Sequence, residues 1–284
     1  MPGMRELQGK VAVITGAGSG FGRELAILCA AEGMALALTD IDEASLVATR
    51  DLLPEDARTL LIGGDIGDPV TMENVANQTF KEFGAAHLLF NNAGVAVAGP
   101  IWTSTLEDWK WTLDVNLMGV VHGIRNFVPR MLEQGDECHI VNTASVAGLL
   151  SVPGSSSYCV SKHGVVTISE CLYHELQLVQ AKIGVSVLCP AFVKTGIADS
   201  ARNRPDELAA SNTHPMTKAM DQVMRDAVDK GKISAVEVAQ VTMDAVKENR
   251  FYILTHSNIT GAVEARVRHI LDDKKPHNSM ARGA

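Results

Sequence analysis

VAVITGAGSGFGREL, residues 11–25, is the stretch on which the reading of this chain turns. Residues 11–14 are a short apolar run, as expected of a strand buried on both faces. Residues 23–31 follow with Leu25, Ala26, Leu28 and Cys29 at helical spacing. Between strand and helix stand Gly16, Gly18, Gly20 and Gly22. Glycines at such a turn let the backbone approach a diphosphate, and the helix N-terminus favours the anion's charge. The spacing is Gly-x-x-x-Gly-x-Gly on Gly16, Gly20 and Gly22, not the Gly-x-Gly-x-x-Gly of the usual dinucleotide fingerprint. Taken alone, the glycines read equally well as a flexible loop.

The next strand-like run, residues 35–39, ends in Asp40. That places a carboxylate where a ribose 2′-hydroxyl is bound in dinucleotide sites, roughly 20 residues past the glycines. A carboxylate accepts from the 2′-hydroxyl and repels a 2′-phosphate, so Asp40 points to NAD rather than NADP. Ser19 occupies a turn position where an arginine would have met that phosphate. Arg23 is the nearest base, and its plain reading is an exposed helix residue. Asp40 and Asp42 both precede a helical stretch at 43–53, and Asp42 can cap it while Asp40 binds ribose.

Further along, Tyr158 precedes Lys162 by one helical turn. A fixed positive charge beside a phenol favours phenolate and lowers its pKa from about 10. A tyrosine tuned in this way exchanges protons with an alcohol or a ketone. Tyr-x-x-x-Lys pairs also arise by chance on solvated helices. Here Ser145 precedes the pair, directly after the apolar run at 139–143.

With these residues in place, the chain resembles the short-chain dehydrogenase/reductase family, of the single-domain type, in order along almost its whole length. Thr15 with Gly16, Gly20 and Gly22, and Ser19 and Phe21 among them, is similar to the family's cofactor turn. Asp65 and Ile66 resemble the residues at the adenine ring, and Asn91-Asn92-Ala93-Gly94 the Asn-Asn-Ala-Gly element. Asn116, Ser145, Tyr158 and Lys162 match the catalytic tetrad. Pro190, Val193 and Thr195 resemble the nicotinamide-side turn, with Ala191 where the family usually has glycine. The resemblance implies an NAD-dependent oxidoreductase moving a hydride between NAD(H) and a secondary alcohol or ketone. Tyr158 would be the acid–base group. Lys162 would hold the nicotinamide ribose, Ser145 would donate to the substrate oxygen, and Asn116 would order a water. It also implies a homotetramer or homodimer, with stretches 100–121 and 155–180 supplying paired helices. The competing reading is a catalytically silent NAD-binding sensor or scaffold, which would have lost the tetrad.

Strand-like runs at 11–14, 35–39, 59–64, 87–91, 138–143, 184–189 and 250–255 alternate with helical stretches. That order predicts an α/β fold, a Rossmann-like doubly wound parallel sheet of about seven strands with helices on both faces. One domain over 1–284 is expected. The rhythm breaks at 196–232, which holds Arg202, Arg204, Pro205, His214, Pro215 and Met216, Met220 and Met224. This reads as a substrate-covering excursion; its simpler reading is a surface detour. Arg202 or Arg204 leaves an acidic substrate open, whereas Val146, Leu149, Leu150, Val152, Phe192, Val193 and Ile197 favour a hydrophobic or aromatic one. Trp102, Trp109 and Trp111 are expected in packing or subunit contact.

Net charge of −8 without a basic tract speaks against nucleic acid. No apolar run reaches 18 residues, which predicts no membrane span. Residues 1–8 lack a hydrophobic signal region, and the termini are expected to be the least structured parts. The five cysteines show no Cys-x-x-Cys spacing and fit a reducing cytoplasm. The nine histidines form no metal-ligand pattern.

Overall fold

A computed structural model describes residues 3–209, 214–257 and 259–278. In chain order its elements are β1 (Val11–Thr15), α1 (Gly20–Ala31), β2 (Ala35–Asp40), α2 (Glu43–Arg50), β3 (Thr59–Gly63), α3 (Pro69–Phe83) and β4 (Leu88–Asn91). There follow α4 (Leu106–Leu113), α5 (Gly119–Gln134), β5 (Cys138–Thr143), α6 (Ser156–Leu178) and β6 (Ile183–Cys189). Last come α7 (Pro215–Asp229), α8 (Ala235–Glu248), β7 (Tyr252–Leu254) and α9 (Ile259–Leu271). The seven strands form one sheet in the order β3-β2-β1-β4-β5-β6-β7. Every pairing is parallel. The chain thus winds outward from β1 in one direction, returns, and winds outward from β4 in the other. The carboxyl ends of β1 and β4 flank the crevice that this reversal leaves.

All residues of β1, β4 and β5 are buried, as expected of central parallel strands covered on both faces. Their side chains alternate between two apolar layers. Ala12, Ile14, Leu36 and Phe90 pack with Leu25, Leu46 and Met243, under α1, α2 and α8. Val13, Ala37, Leu89 and Ile140 pack with Met72, Phe127 and Leu172, under α3, α5 and α6. A polar seam crosses the sheet where Asn91 Nδ2 donates to Asn142 Oδ1 at 2.8 Å and Asn142 Nδ2 donates to Ser169 Oγ at 3.0 Å. Nearby, His139 is buried against Ser186 Oγ at 2.8 Å, and burial pushes its pKa down to about 3.

The sequence-derived elements fall where they were expected, with local shifts. α1 begins at Gly20 rather than at residue 23, so the glycine turn runs directly into the helix. α2 stops at Arg50; Asp42 caps it, its carboxylate accepting from Ser45 N at 3.1 Å. β7 is a three-residue edge strand, shorter than the run at 250–255. The N-terminal stretch is not loose throughout. Met4 and Leu7 are buried in the α1–α8 layer, an apolar pair in an otherwise polar segment. Residues 1–2 and 279–284 lie outside the described residues.

Candidate functional site

The glycine turn is held in shape by contacts that leave no room for side chains. Gly16 has φ of 67°, and a Cβ there would lie 2.8 Å from Ala93 Cα. A Cβ on Gly22 would run into the carbonyl of Gly16, so α1 can pack tightly on its own entry turn. The Thr15 hydroxyl fastens this turn to the one after β4, accepting from Asn92 N at 2.9 Å and Ala93 N at 3.0 Å. Asn92 Nδ2 returns a bond to Thr15 O at 3.0 Å. Ser19 is the N-cap of α1 but its hydroxyl caps no amide, and the first turn holds no acidic side chain. The helix therefore presents its first amides to the crevice, where they suit an anion.

Asp40, at the end of β2, turns its carboxylate to this rim. Its two oxygens accept from Gly18 N at 2.9 Å and from Asp42 N at 3.1 Å. Arg23 faces the back of the turn, donating from Nε to Thr49 Oγ1 at 3.0 Å and from Nη2 to Gly18 O. Asp65 accepts from Gly67 N at 2.8 Å and sits with Ile66 after β3.

The second group of residues meets the crevice from β5 and α6. Ser145 follows β5, its hydroxyl accepting from Ala147 N at 3.1 Å and donating to Pro190 O at 3.3 Å. Tyr158 and Lys162 lie one turn apart on α6, with Lys162 Nζ 5.7 Å from the centroid of the Tyr158 ring. Lys162 donates to Thr143 O at 2.7 Å, and burial lowers its pKa to about 8. The phenol goes the other way from the sequence expectation. Burial raises its pKa to about 12, and the neighbouring Ser145 hydroxyl only partly offsets this. The spacing of tyrosine and lysine reports proximity; it carries no information on how dry the site is, and desolvation is the larger effect.

Asn116 lies in the π-helical turn Asp114–Met118 that joins α4 to α5, a distortion frequent at functional sites. Its side chain is fully buried. It accepts from Val95 N at 2.8 Å and donates to Val95 O at 2.9 Å and Ser161 Oγ at 3.1 Å. Those bonds pin the loop after β4 against α6. A Cβ on Gly94 would lie 3.3 Å from Asn116 Oδ1 and 3.4 Å from Lys162 Nζ, so both groups flank the same glycine.

One continuous cavity of about 540 Å³ joins the two groups. Its wall includes Gly16, Ser19, Gly20, Phe21, Asp40, Asp65, Ile66, Asn92, Ala93, Gly94, Ser145, Tyr158, Lys162, Pro190, Val193 and Thr195. Gly22 and Asn116 do not reach the wall and act from behind it. Ala191 also lines it and is not among the residues with positive φ, so alanine here carries no backbone strain. The excursion closes the far side with the 3₁₀ segment Gly196–Asn203 and with Met220, Val223 and Met224 of α7. Its residues 210–213 lie outside the described residues. His214 caps α7, Nδ1 accepting from Met216 N at 3.2 Å.

Two expectations change here. Trp111, assigned to packing, is buried but also lines the cavity, whereas Trp102 is exposed. Arg204 is not open to a substrate: it pairs with the buried Asp108 carboxylate at 2.6 Å and lies 5.1 Å over the Trp111 ring. Neither was legible in sequence, because both depend on α4 meeting a segment nearly a hundred positions later. The same holds for Ser200, whose hydroxyl accepts from Ala96 N at 3.0 Å and donates to Ala96 O at 3.2 Å.

The family model described as short chain dehydrogenase matches residues 10–206. A relative from Lactiplantibacillus plantarum, "CLA biosynthesis dehydrogenase/reductase", is 34% identical over 96% of this chain and 97% of its own. The "1-deoxy-11-beta-hydroxypentalenate dehydrogenase" of Streptomyces avermitilis is 33% identical over 89% of this chain and 86% of its own. Among solved structures, a short-chain dehydrogenase/reductase from Burkholderia phymatum in complex with NAD superimposes with a TM-score of 0.95. It is 46% identical and covers 98% of this chain and 100% of its own. The sheet order, the glycine turn and these matches agree: the chain belongs to the short-chain dehydrogenase/reductase family.

Proposed function

We propose that this oxidoreductase interconverts a hydrophobic secondary alcohol and its ketone, using NAD(H), with Ser145, Tyr158 and Lys162 at the reacting end. The observation that carries the reading is the shared cavity: these three residues line the same space as the glycine turn and Asp40. The residues present fit a dinucleotide. Gly16 and Gly22 let the turn close tightly on Ala93 and on the start of α1, α1 offers uncapped amides to a diphosphate, and the Asp40 carboxylate stands ready for ribose hydroxyls. A carboxylate there disfavours the 2′-phosphate of NADP.

The bound nicotinamide would accept or return a hydride, that is, the hydrogen of the substrate's C–H bond together with its bonding electron pair. The chain's own groups handle the proton. In oxidation Tyr158 takes the hydroxyl proton as the C–H bond breaks and the C=O bond forms; in reduction it gives that proton back. Ser145 donates to the substrate oxygen as negative charge develops there. Lys162, a protonated ammonium at neutral pH, supplies positive charge beside the phenol and a donor for ribose. Asn116 holds the Val95 loop and α6 together, which keeps Lys162 in register.

The cavity's substrate end is lined by Val95, Val146, Val152, Phe192, Ile197 and Met220, an apolar surface that supports a hydrophobic or aromatic substrate. The excursion at 196–232 covers this end. Exposed Ile101, Trp102, Leu106, Met118, Val160 and Leu178, within stretches 100–121 and 155–180, support a homo-oligomer; light scattering would detect it. Steady-state assays with NAD and NADP against a panel of apolar secondary alcohols and ketones test the whole reading. Because the phenol is held protonated well above neutral pH, it adds no pH dependence of its own to reduction near neutrality; reduction should fall as pH rises through about 8 and Lys162 loses its charge. Oxidation, which needs the phenol as base, should rise with pH. A silent sensor would bind NADH and turn over nothing in the panel.

A further inference from the structure

We propose that Arg202 is a cofactor clamp: its guanidinium binds the dinucleotide's diphosphate from the side opposite the N-terminus of α1. Diphosphate binding would thereby seat the 3₁₀ segment Gly196–Asn203 over the cavity. The proposal rests on the NAD reading above.

The first argument is charge. Asp40 and Asp65 line the cavity, and among the described lining residues the only Lys or Arg side chains are Lys162 and Arg202. Lys162 is buried beside Tyr158 at the reacting end, where one of its N–H groups donates to Thr143 O. Arg23 is committed to Gly18 O and Thr49 on the back of the glycine turn. The helix end offers only about half a unit charge. A diphosphate carrying two negative charges beside Asp40 therefore meets one further full positive charge in reach, that of Arg202.

The second argument is position. Arg202 Nη1 donates to Gly196 O at 3.0 Å, which folds the side chain back across the start of its own segment. A Cβ on Gly196 would lie 3.2 Å from Arg202 Nη2. The neighbouring Thr195 is the side chain that a Cβ on Gly20, the first residue of α1, would meet at 3.5 Å. The guanidinium thus lies beside Gly196, one residue along the chain from the side chain that meets the start of α1. The Asp42 carboxyl agrees: it is held below its ordinary range first by the Ser45 hydroxyl and amide, and the charge of Arg202 adds to this.

The third argument is partnership. The two other arginines of the excursion have carboxylates: Arg204 pairs with Asp108 outside it, and Arg225 with Asp199 and Asp221 within it. Arg202 forms no ion pair among the described residues and is exposed, so most of its donors remain for an anion. Its segment is fixed to the loop after β4 through Ser200 and Ala96, and to α7 through Asp199 and Arg225. A diphosphate held by Arg202 would pull on the wall that closes the substrate end.

Calorimetric titration with ADP-ribose, adenosine, NADH and NADPH tests this on the full chain. Arg202→Ala should weaken ADP-ribose and NADH by about tenfold or more, the range for a lost charge-assisted hydrogen bond. Arg202→Lys should recover part of that loss, and adenosine, which lacks the diphosphate, should bind all variants alike. ADP-ribose alone should raise amide-exchange protection at 196–209 in the wild type and not in Arg202→Ala. Wild-type ADP-ribose affinity retained within about twofold in Arg202→Ala would overturn the clamp while leaving the NAD reading intact. An equal loss for adenosine would make Arg202 structural, and a loss confined to NADPH would assign it to a 2′-phosphate; either overturns the clamp. A wild type that binds neither ADP-ribose nor NADH would remove the NAD reading itself, and the clamp with it.

Discussion

The carboxyl edge of the sheet from β1 to β5 and the excursion after β6 wall the same cavity, but they are held by different kinds of bond. On the sheet side the functional groups stand just after buried strands or on helices packed directly against them, and most are fixed by bonds to backbone. Thr15 staples the Asn92 turn, Asn116 grips Val95 at both its amide and its carbonyl, and Asp40 accepts two amides. The excursion has short 3₁₀ turns, and Val228 is the one buried residue of α7. Two long-range polar tethers hold it, Arg204 to Asp108 and Ser200 to Ala96, while Arg225 to Asp199 ties its own parts together. Groups that must meet a reacting atom gain from the first kind of support, because position is set by the most stable part of the fold. A wall that selects and covers substrate can rely on the second, which opens at lower cost.

The strongest test of the sheet side is Tyr158→Phe. It should lower kcat by about 10²–10⁴-fold, the usual range for positioned acid–base catalysis, while NADH affinity stays within about twofold. Rapid-mixing assays and a fluorescence titration would measure the two. A variant that keeps about a tenth of wild-type kcat would mean that the proton moves by another route.

Next in size is the tether between Asp108 and Arg204, whose side chains are 3% and 7% exposed. Asp108→Asn keeps an acceptor for the α4 cap but leaves a buried guanidinium without its counter-charge, at a cost of about 3–5 kcal/mol. The loss should be local: exchange at 196–209 should speed up by about 100-fold or more, with β1 and β5 unchanged. Equal acceleration in β5 would erase the distinction between the two walls.

Asp40→Ser tests the cofactor rim. Losing a charged acceptor should raise KM for NAD by about 10–100-fold and remove the repulsion that excludes NADP. A wild type that already prefers NADP would sink the assigned role of Asp40.

The smallest effect concerns the sheet alone. His139 has a pKa of about 3 when folded, against an ordinary 6.5, because burial disfavours its charged form. The depressed pKa means full stability above pH 6.5, lost progressively as pH falls below it. By pH 5 the loss should be about 2 kcal/mol from this group. Denaturant unfolding of the wild type and His139→Gln at pH 7 and pH 5 should differ by that increment. A parallel pH response in the two proteins would show that His139 is not the source.

The alternation of strands and helices, the glycine turn, Asp40 at the end of β2 and the spacing of Ser145, Tyr158 and Lys162 could all be read from the sequence. These are legible because each is local: a buried parallel strand is a continuous apolar run, and the residue just after it is placed by the strand. Four things required the tertiary structure. The phenol's pKa rises instead of falling, because desolvation depends on everything packed around α6. Asn116 clasps Val95 and Ser161 from behind the cavity wall, since the π-turn brings together three separate elements. Arg204 is committed to Asp108 while Arg202 lines the cavity. Trp111 packs in the core as expected and also reaches the cavity wall, beneath Arg204 of the excursion. Each is a pairing of residues distant in sequence, and no local pattern of hydrophobicity or charge records which distant partner a side chain will find.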